Sequence, residues 1–196
     1  MRWLAVALVL LGCAAQADTF PALYDVKGVA DDDVLNVRSA PSADGELVGT
    51  LEPDRKDVEV VAINAAQTWA QVNIAERAGW ASLTYLDRQP GQSSDTMPDL
   101  VACYGTEPFW SMDFKTENLL LSVMGESEVV LTPIATYRSA NRTDRYSFIA
   151  PEVTAVVARQ RCNDGMSERE FGLAIDVLFT RSDDVAHLSG CCTLQP

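Results

Sequence analysis

One histidine among 196 residues excludes metal sites built from two or three imidazoles of the same chain, and with them most histidine-dependent chemistry. Runs of Lys or Arg are also missing. With 15 Lys+Arg against 28 Asp+Glu the net charge is -13, a field that repels nucleic acid and anionic lipid. Nucleic-acid binding is set aside on that ground. No apolar stretch approaches the roughly 20 residues a bilayer-spanning helix needs, so no membrane span is expected. Cysteine is absent between Asp18 and Ala102. What remains is 47% hydrophobic and 22% charged, a foldable chain long enough for two small domains.

The N-terminus has one positive side chain, Arg2, then an apolar run from Trp3 to Leu11, then Ala15-Gln16-Ala17 before Asp18. This order predicts a secretory signal peptide over residues 1–17 and an exported, periplasmic protein. Leu10-Leu11-Gly12-Cys13 raises the alternative of a lipid anchor through Cys13. Beyond residue 17, Cys103, Cys162, Cys191 and Cys192 remain, and an even count in an exported chain predicts disulfides. Pairing the adjacent Cys191 and Cys192 closes a strained small ring. Two pairings are left, each tying Cys103 and Cys162 to the 191/192 pair.

Pro90 to Asp99, with two prolines, one glycine and small polar residues, reads as a linker between residues 18–89 and 100–196. Before it, short apolar runs at 34–37, 47–51, 58–63, 69–72 and 79–81 predict strands of a small barrel. After it, runs at 110–114, 119–123, 129–131, 146–149, 153–160, 173–179 and 187–192 predict a second, mainly antiparallel β domain. Period-two spacing places Thr154, Val156 and Ala158 on one face, and Leu173, Ile175, Val177 and Phe179 on one face of the next strand. The fold class expected is therefore all-β.

The "LNVRSAPS" of Leu35–Ser42, the "VGTL" of Val48–Leu51, the tryptophan strand at Trp69 and the closing Gly79-Trp80 with Tyr85 together resemble a bacterial SH3 domain. Trp69 and Trp80 are large enough to fill a five-strand barrel. The resemblance covers about 60 residues and implies a binding module, found in envelope proteins and contacting peptidoglycan or its peptides. Trp69, Trp80 and Tyr85 are the candidate ligand-binding residues. Residues 18–89 hold 13 acidic and 6 basic side chains, net -7, which favours an amine-bearing or basic peptide.

The motifs Cys103–Ser111 ("CYGTEPFWS"), Cys162–Ser167 ("CNDGMS") and Gly190-Cys191-Cys192 resemble a bacterial envelope family without an assigned activity. Glu168 and the pair Phe171-Gly172 depart from that pattern. Glu107, Trp110 and Asp164 form a candidate site here. Paired carboxylates can act as acid and base when held about 5 to 9.5 Å apart, while Asp164-Gly165 also reads as turn chemistry. Of Phe109 and Trp110, neighbours on a strand, one is expected in the core and the other on a recognition surface or over the disulfide. A zinc site from Cys162, His187, Cys191 and Cys192, or a Cys-His nucleophile oriented by Asp164 or Asp184, competes with disulfide formation, the simpler fate after export. No metal and no cofactor are expected. Asp31-Asp32-Asp33 reads as a solvated turn, and Arg138, Arg142 and Arg145 as partners of acidic neighbours.

The function expected is non-catalytic binding at the cell envelope, the partner being a cell-wall peptide or an envelope protein. The alternative is an envelope hydrolase, or an inhibitor of one, in the second domain.

Overall fold

The computed structural model describes residues 19–115, 118–181 and 184–195. The signal-type segment, with Cys13, lies outside them, as does the side chain of Asp184. The protein is all-β and its strand ladders are antiparallel. Among the described residues no helix is long and apolar enough to cross a membrane.

The N-terminal region contains β1 (Ala22–Val26), β2 (Leu35–Arg38), β3 (Leu47–Leu51), β4 (Val58–Val60), β5 (Ala62–Ile63), β6 (Trp69–Ile74), β7 (Arg77–Ser82), a 3-10 turn (Leu83–Tyr85) and β8 (Leu86–Arg88). They make two small sheets, β4-β1-β8 and β3-β2-β7-β6-β5. The expected runs 47–51 and 69–72 fall on β3 and β6. β1 and β8, three to five residues with little to alternate, gave no comparable signal.

Period two decides what this small core holds. Val37, Ala70, Val72 and Ala81 are fully buried between the sheets, with Val58, Val60 and Leu35 beside them. The alternate positions, Trp69, Gln71 and Trp80, then face outward. Contrary to the expectation that they fill the barrel, both tryptophans are half-buried on its outside. Gly79 shows how little room there is: a Cβ at that position would stand 2.5 Å from Val37 Cγ1.

The C-terminal region contains β9 (Ala102–Gly105), β10 (Trp110–Phe114), β11 (Leu119–Val123), β12 (Val129–Leu131), β13 (Ala135–Arg138), β14 (Arg145–Ala150), β15 (Val153–Cys162), β16 (Phe171–Arg181) and β17 (Asp184–Thr193). They form one sheet in the order β12-β11-β10-β9-β17-β16-β15-β14-β13. Its two outermost strands are joined by Thr132, Pro133 and Ile134 alone. Four Cα steps span at most about 14 Å, so the sheet curls until its ends approach each other. The result is an open barrel with the core on its inner face.

That inner face carries Leu173, Ile175, Val177 and Phe179, as their spacing predicted, with Tyr146, Phe148, Ala155, Val157 and Met112. Thr154, Val156 and Ala158 do share a face, the outer one; Val153, Ala155 and Val157 are those turned inward. Leu100 and Leu194 of this core, with the partly buried Met97 and with Leu23 from β1, pack at the end of the barrel nearest the N-terminal region. The segment 90–99 is tied down there: the Gln92 side chain exchanges hydrogen bonds with the Leu23 backbone (2.6 and 2.8 Å), and Tyr146 Oη donates to Ser94 O at 2.8 Å.

Elsewhere the two regions meet edge to loop. Ala78 N–H donates to Glu168 O and Glu168 N–H to Glu76 O, both at 2.9 Å, and the Asn73 amide bonds the backbone of Glu170 in both directions. A Cβ on Gly172 would lie 2.6 Å from Pro21 Cδ. Glu168 and Gly172, where the sequence departs from the motif pattern, thus both sit on this junction.

Candidate functional site

Local chain chemistry positions the N-terminal candidates. Asn64 Oδ1 accepts from the N–H groups of Thr68 (2.8 Å) and Trp69 (3.0 Å), an Asx-type closure of the β5–β6 turn that sets where Trp69 emerges. Leu83 N–H donates to Thr68 O at 2.9 Å and Lys27 N–H to Tyr85 O at 2.9 Å, which draws the 3-10 turn and the β1–β2 segment together. Trp69 and Ser82 are directly opposed across β6 and β7.

Between these elements lies a cleft of about 540 Å³, lined among others by Gly28, Val29, Asp33, Asn36, Arg38, Trp69, Ser82 and Tyr85. Its volume falls in the range of small-ligand sites. Tyr85 is 41% exposed and Trp69 half-buried, so both present part of an aromatic side chain to the cleft. Arg38 Nη1 is held at 2.9 Å by Gly45 O, and Asp33 Oδ1 accepts Val34 N–H at 2.8 Å. Asp31 and Asp32 are exposed beside it. Trp80 lies on the same outward sheet face, opposite both Arg38 and Gln71, and outside the cleft lining. The structure thus brings Trp69 and Tyr85 together and leaves Trp80 to one side. Sequence reasoning missed Gly28, Val29, Asn36 and Arg38; the Asn64/Thr68 turn before Trp69 was the readable signal.

The C-terminal motifs account for one another. Cys103 is bonded to Cys192 and Cys162 to Cys191, one of the two pairings the sequence left open. Register selects it: Cys192 stands opposite the inward Cys103 across β9 and β17, while Cys191 faces out toward the end of β15. All four sulfurs are thereby used, and none is a thiolate for a zinc ion or a nucleophile. The His187 Nε2 is instead 3.0 Å from Asp176 Oδ1, an oxygen that also accepts from Ser189 Oγ at 2.8 Å.

Trp110 is buried on the inner face, its indole N–H directed to Ser189 O at 3.3 Å. It rests on two glycines: a Cβ on Gly105 would be 2.0 Å from Trp110 Nε1, and one on Gly190 would be 2.7 Å from Trp110 Cζ2. Phe109 is 47% exposed. Asp164, 8% exposed, spends its carboxylate on the turn, accepting from Met166 N–H (3.0 Å), Ser167 N–H (3.2 Å) and Ser167 Oγ. Thr106 Oγ1 donates to Asp164 O at 3.4 Å, joining the two motif loops. Glu107 is exposed, in the left-handed region at φ 57°.

The three arginines have acidic partners. Arg142 bonds Asp144 through two nitrogens (2.9 and 2.7 Å), Arg145 bonds it at 3.0 Å, and Arg138 pairs with Asp95. The Arg142 hydrogen bond is the main reason the Asp144 pKa is lowered to about 2.

At the junction, Glu59 is 2% exposed and accepts from Thr193 Oγ1 and from Leu194 N–H at 3.0 Å. Its Oε1, the buried Gln71 Oε1 and Arg169 Nε make no hydrogen bond. Burial raises the Glu59 pKa, opposed by the two hydrogen bonds and by nearby Arg169. Burial likewise raises Tyr104.

No family model, curated protein or solved structure matches this chain.

Proposed function

We propose that this is an exported, non-catalytic binding protein of the bacterial cell envelope, and that the Trp69–Tyr85 cleft takes an amine-bearing cell-wall peptide or a basic segment of an envelope protein. The observation that carries the reading is the cleft: two partly exposed aromatic side chains, Trp69 and Tyr85, beside the acidic Asp31–Asp33 stretch. An ammonium group over Trp or Tyr gains about 0.5–2 kcal/mol from the ring face, and the acidic flank adds attraction that salt screens. Two disulfides and the signal-type N-terminus support export. The ordered use of Asp164 in a turn and of all four cysteines in disulfides supports binding over hydrolysis.

The test is co-sedimentation of the oxidised chain, after removal of its leader, with purified peptidoglycan sacculi at two salt concentrations. Saturable retention, weaker at high salt and weaker in Trp69→Ala and Tyr85→Ala, is the expected result. Retention equal in all three proteins removes the cleft from the reading. No retention of any moves the partner to an envelope protein, to be sought by crosslinking at position 85.

A further inference from the structure

Among the described residues, the barrel of the C-terminal region is filled at one end and leaves a cavity at the other. Leu23, Met97, Leu100 and Leu194 fill the end next to the N-terminal region. At the opposite end a cavity of about 390 Å³ is walled by Leu121, Val123, Val129, Phe179 and Leu188, with Pro108 at its edge.

These are inward-facing positions of the same ladders that elsewhere pack solidly. Val177, opposite Leu188 across β16 and β17, is fully buried, and Leu121 is 2% exposed, yet Val123, Val129 and Leu188 remain half-exposed around open space. Two further apolar side chains stand beside this mouth: Phe109, and Met124 at 70% exposed, linked by the Met124 N–H bond to Phe109 O at 2.8 Å. A sheet of about eight strands closes on an interior that either fills with side chains or holds one small ligand. Here the described side chains leave one end unfilled.

We propose that this mouth is a second binding site, for a neutral or cationic molecule whose apolar part is a single alkyl chain or a small aromatic ring system. The walls supply burial without a hydrogen-bond requirement, so the inserted part is hydrocarbon. The polar residues in the described lining are Glu126, Ser127 and His187. The field of a chain of net charge -13 selects against an anionic head group. The site is independent of the Trp69–Tyr85 cleft and does not rest on the function proposed for it.

The probe is N-phenyl-1-naphthylamine, an uncharged aromatic whose fluorescence rises in apolar surroundings, titrated into the full oxidised chain. One saturable site is expected, and it persists in Trp69→Ala. Val123→Trp, which fills the mouth from a half-exposed position, weakens probe binding by about tenfold or more with an unchanged urea midpoint. Leu188→Phe does the same by a different wall and serves if Val123→Trp fails to fold. Val130→Trp, on the outward face of β12, leaves binding intact. Decylamine displaces the probe at lower concentration than decanoate, both below their micelle thresholds. Absence of a saturable signal, or binding indifferent to both wall substitutions, overturns the site. Equal displacement by amine and carboxylate overturns the charge selection.

Discussion

The N-terminal region turns its two largest side chains, Trp69 and Trp80, out of its core, while the C-terminal region takes Trp110, Tyr146 and Phe148 inside and still leaves space at one mouth. The difference follows from curvature and size. Two small sheets pressed together enclose mostly Val, Ala and Leu side chains, with Tyr24 the one buried aromatic, so the tryptophans become available on the surface, Trp69 as a proposed ligand contact. One long sheet curled on itself encloses a wider interior, where an aromatic ring is packing material and a vacancy becomes the recognition feature. The staples differ as well: both disulfides join strands of the curled sheet, whose ladder order places β9 beside β17 across 78 intervening residues, and the N-terminal region has none.

Removing the staples is the largest test of this contrast. On chain-entropy grounds Cys103→Ala/Cys192→Ala, spanning a sequence separation of 89, lowers stability by about 4–5 kcal/mol. Cys162→Ala/Cys191→Ala, with a separation of 29, lowers it by about 3–4 kcal/mol. Urea unfolding followed by near-ultraviolet dichroism measures both, and the reverse ranking breaks the argument. Next comes the tryptophan pair. Trp110→Ala is expected to cost about 3–5 kcal/mol, as large core truncations do, whereas Trp80→Ala costs about 1 kcal/mol, the centre of the range for single substitutions. Equal costs for the two erase the inside–outside distinction.

Trp69→Ala sharpens it from the functional side, with sacculus affinity falling about tenfold and the unfolding midpoint moving little. The smallest effect is expected at Glu59, on the junction between the regions. Its pKa is raised by burial, so the neutral acid is the form suited to the folded state. The stability it contributes is fully present below the ordinary carboxylate pKa and is lost as pH rises through the raised value. Glu59→Gln therefore flattens that part of the pH–stability profile and is relatively more stable than the parent on the alkaline side. A steeper profile in the variant contradicts the assignment.

How far residues spoke for themselves differs from element to element. Leu173–Phe179 announced a strand and its buried face because alternation is a property of the strand alone. The Thr154–Ala158 set announced only that it shares a face; which face turns inward depends on the partner sheet. Trp69 and Trp80 misled for the same reason, since size suggested core while parity placed Ala70 and Ala81 there instead. Asp164-Gly165 was legible as a turn because its hydrogen bonds are local. Glu59 was illegible, because Thr193, which occupies its oxygen, lies 134 residues away.

Composition and short-range pattern by themselves determined the β character, the turns, the acidic surface and the expectation of disulfides, since each depends on neighbours in the chain. The choice of Cys103–Cys192 and Cys162–Cys191, the glycine bed under Trp110, the meeting of the 28–36 segment with Trp69 and Tyr85, and the unfilled mouth of the barrel were decided only in the tertiary structure. Register, sheet order and curvature bring together residues separated by dozens of positions, and no local preference encodes which of them will meet.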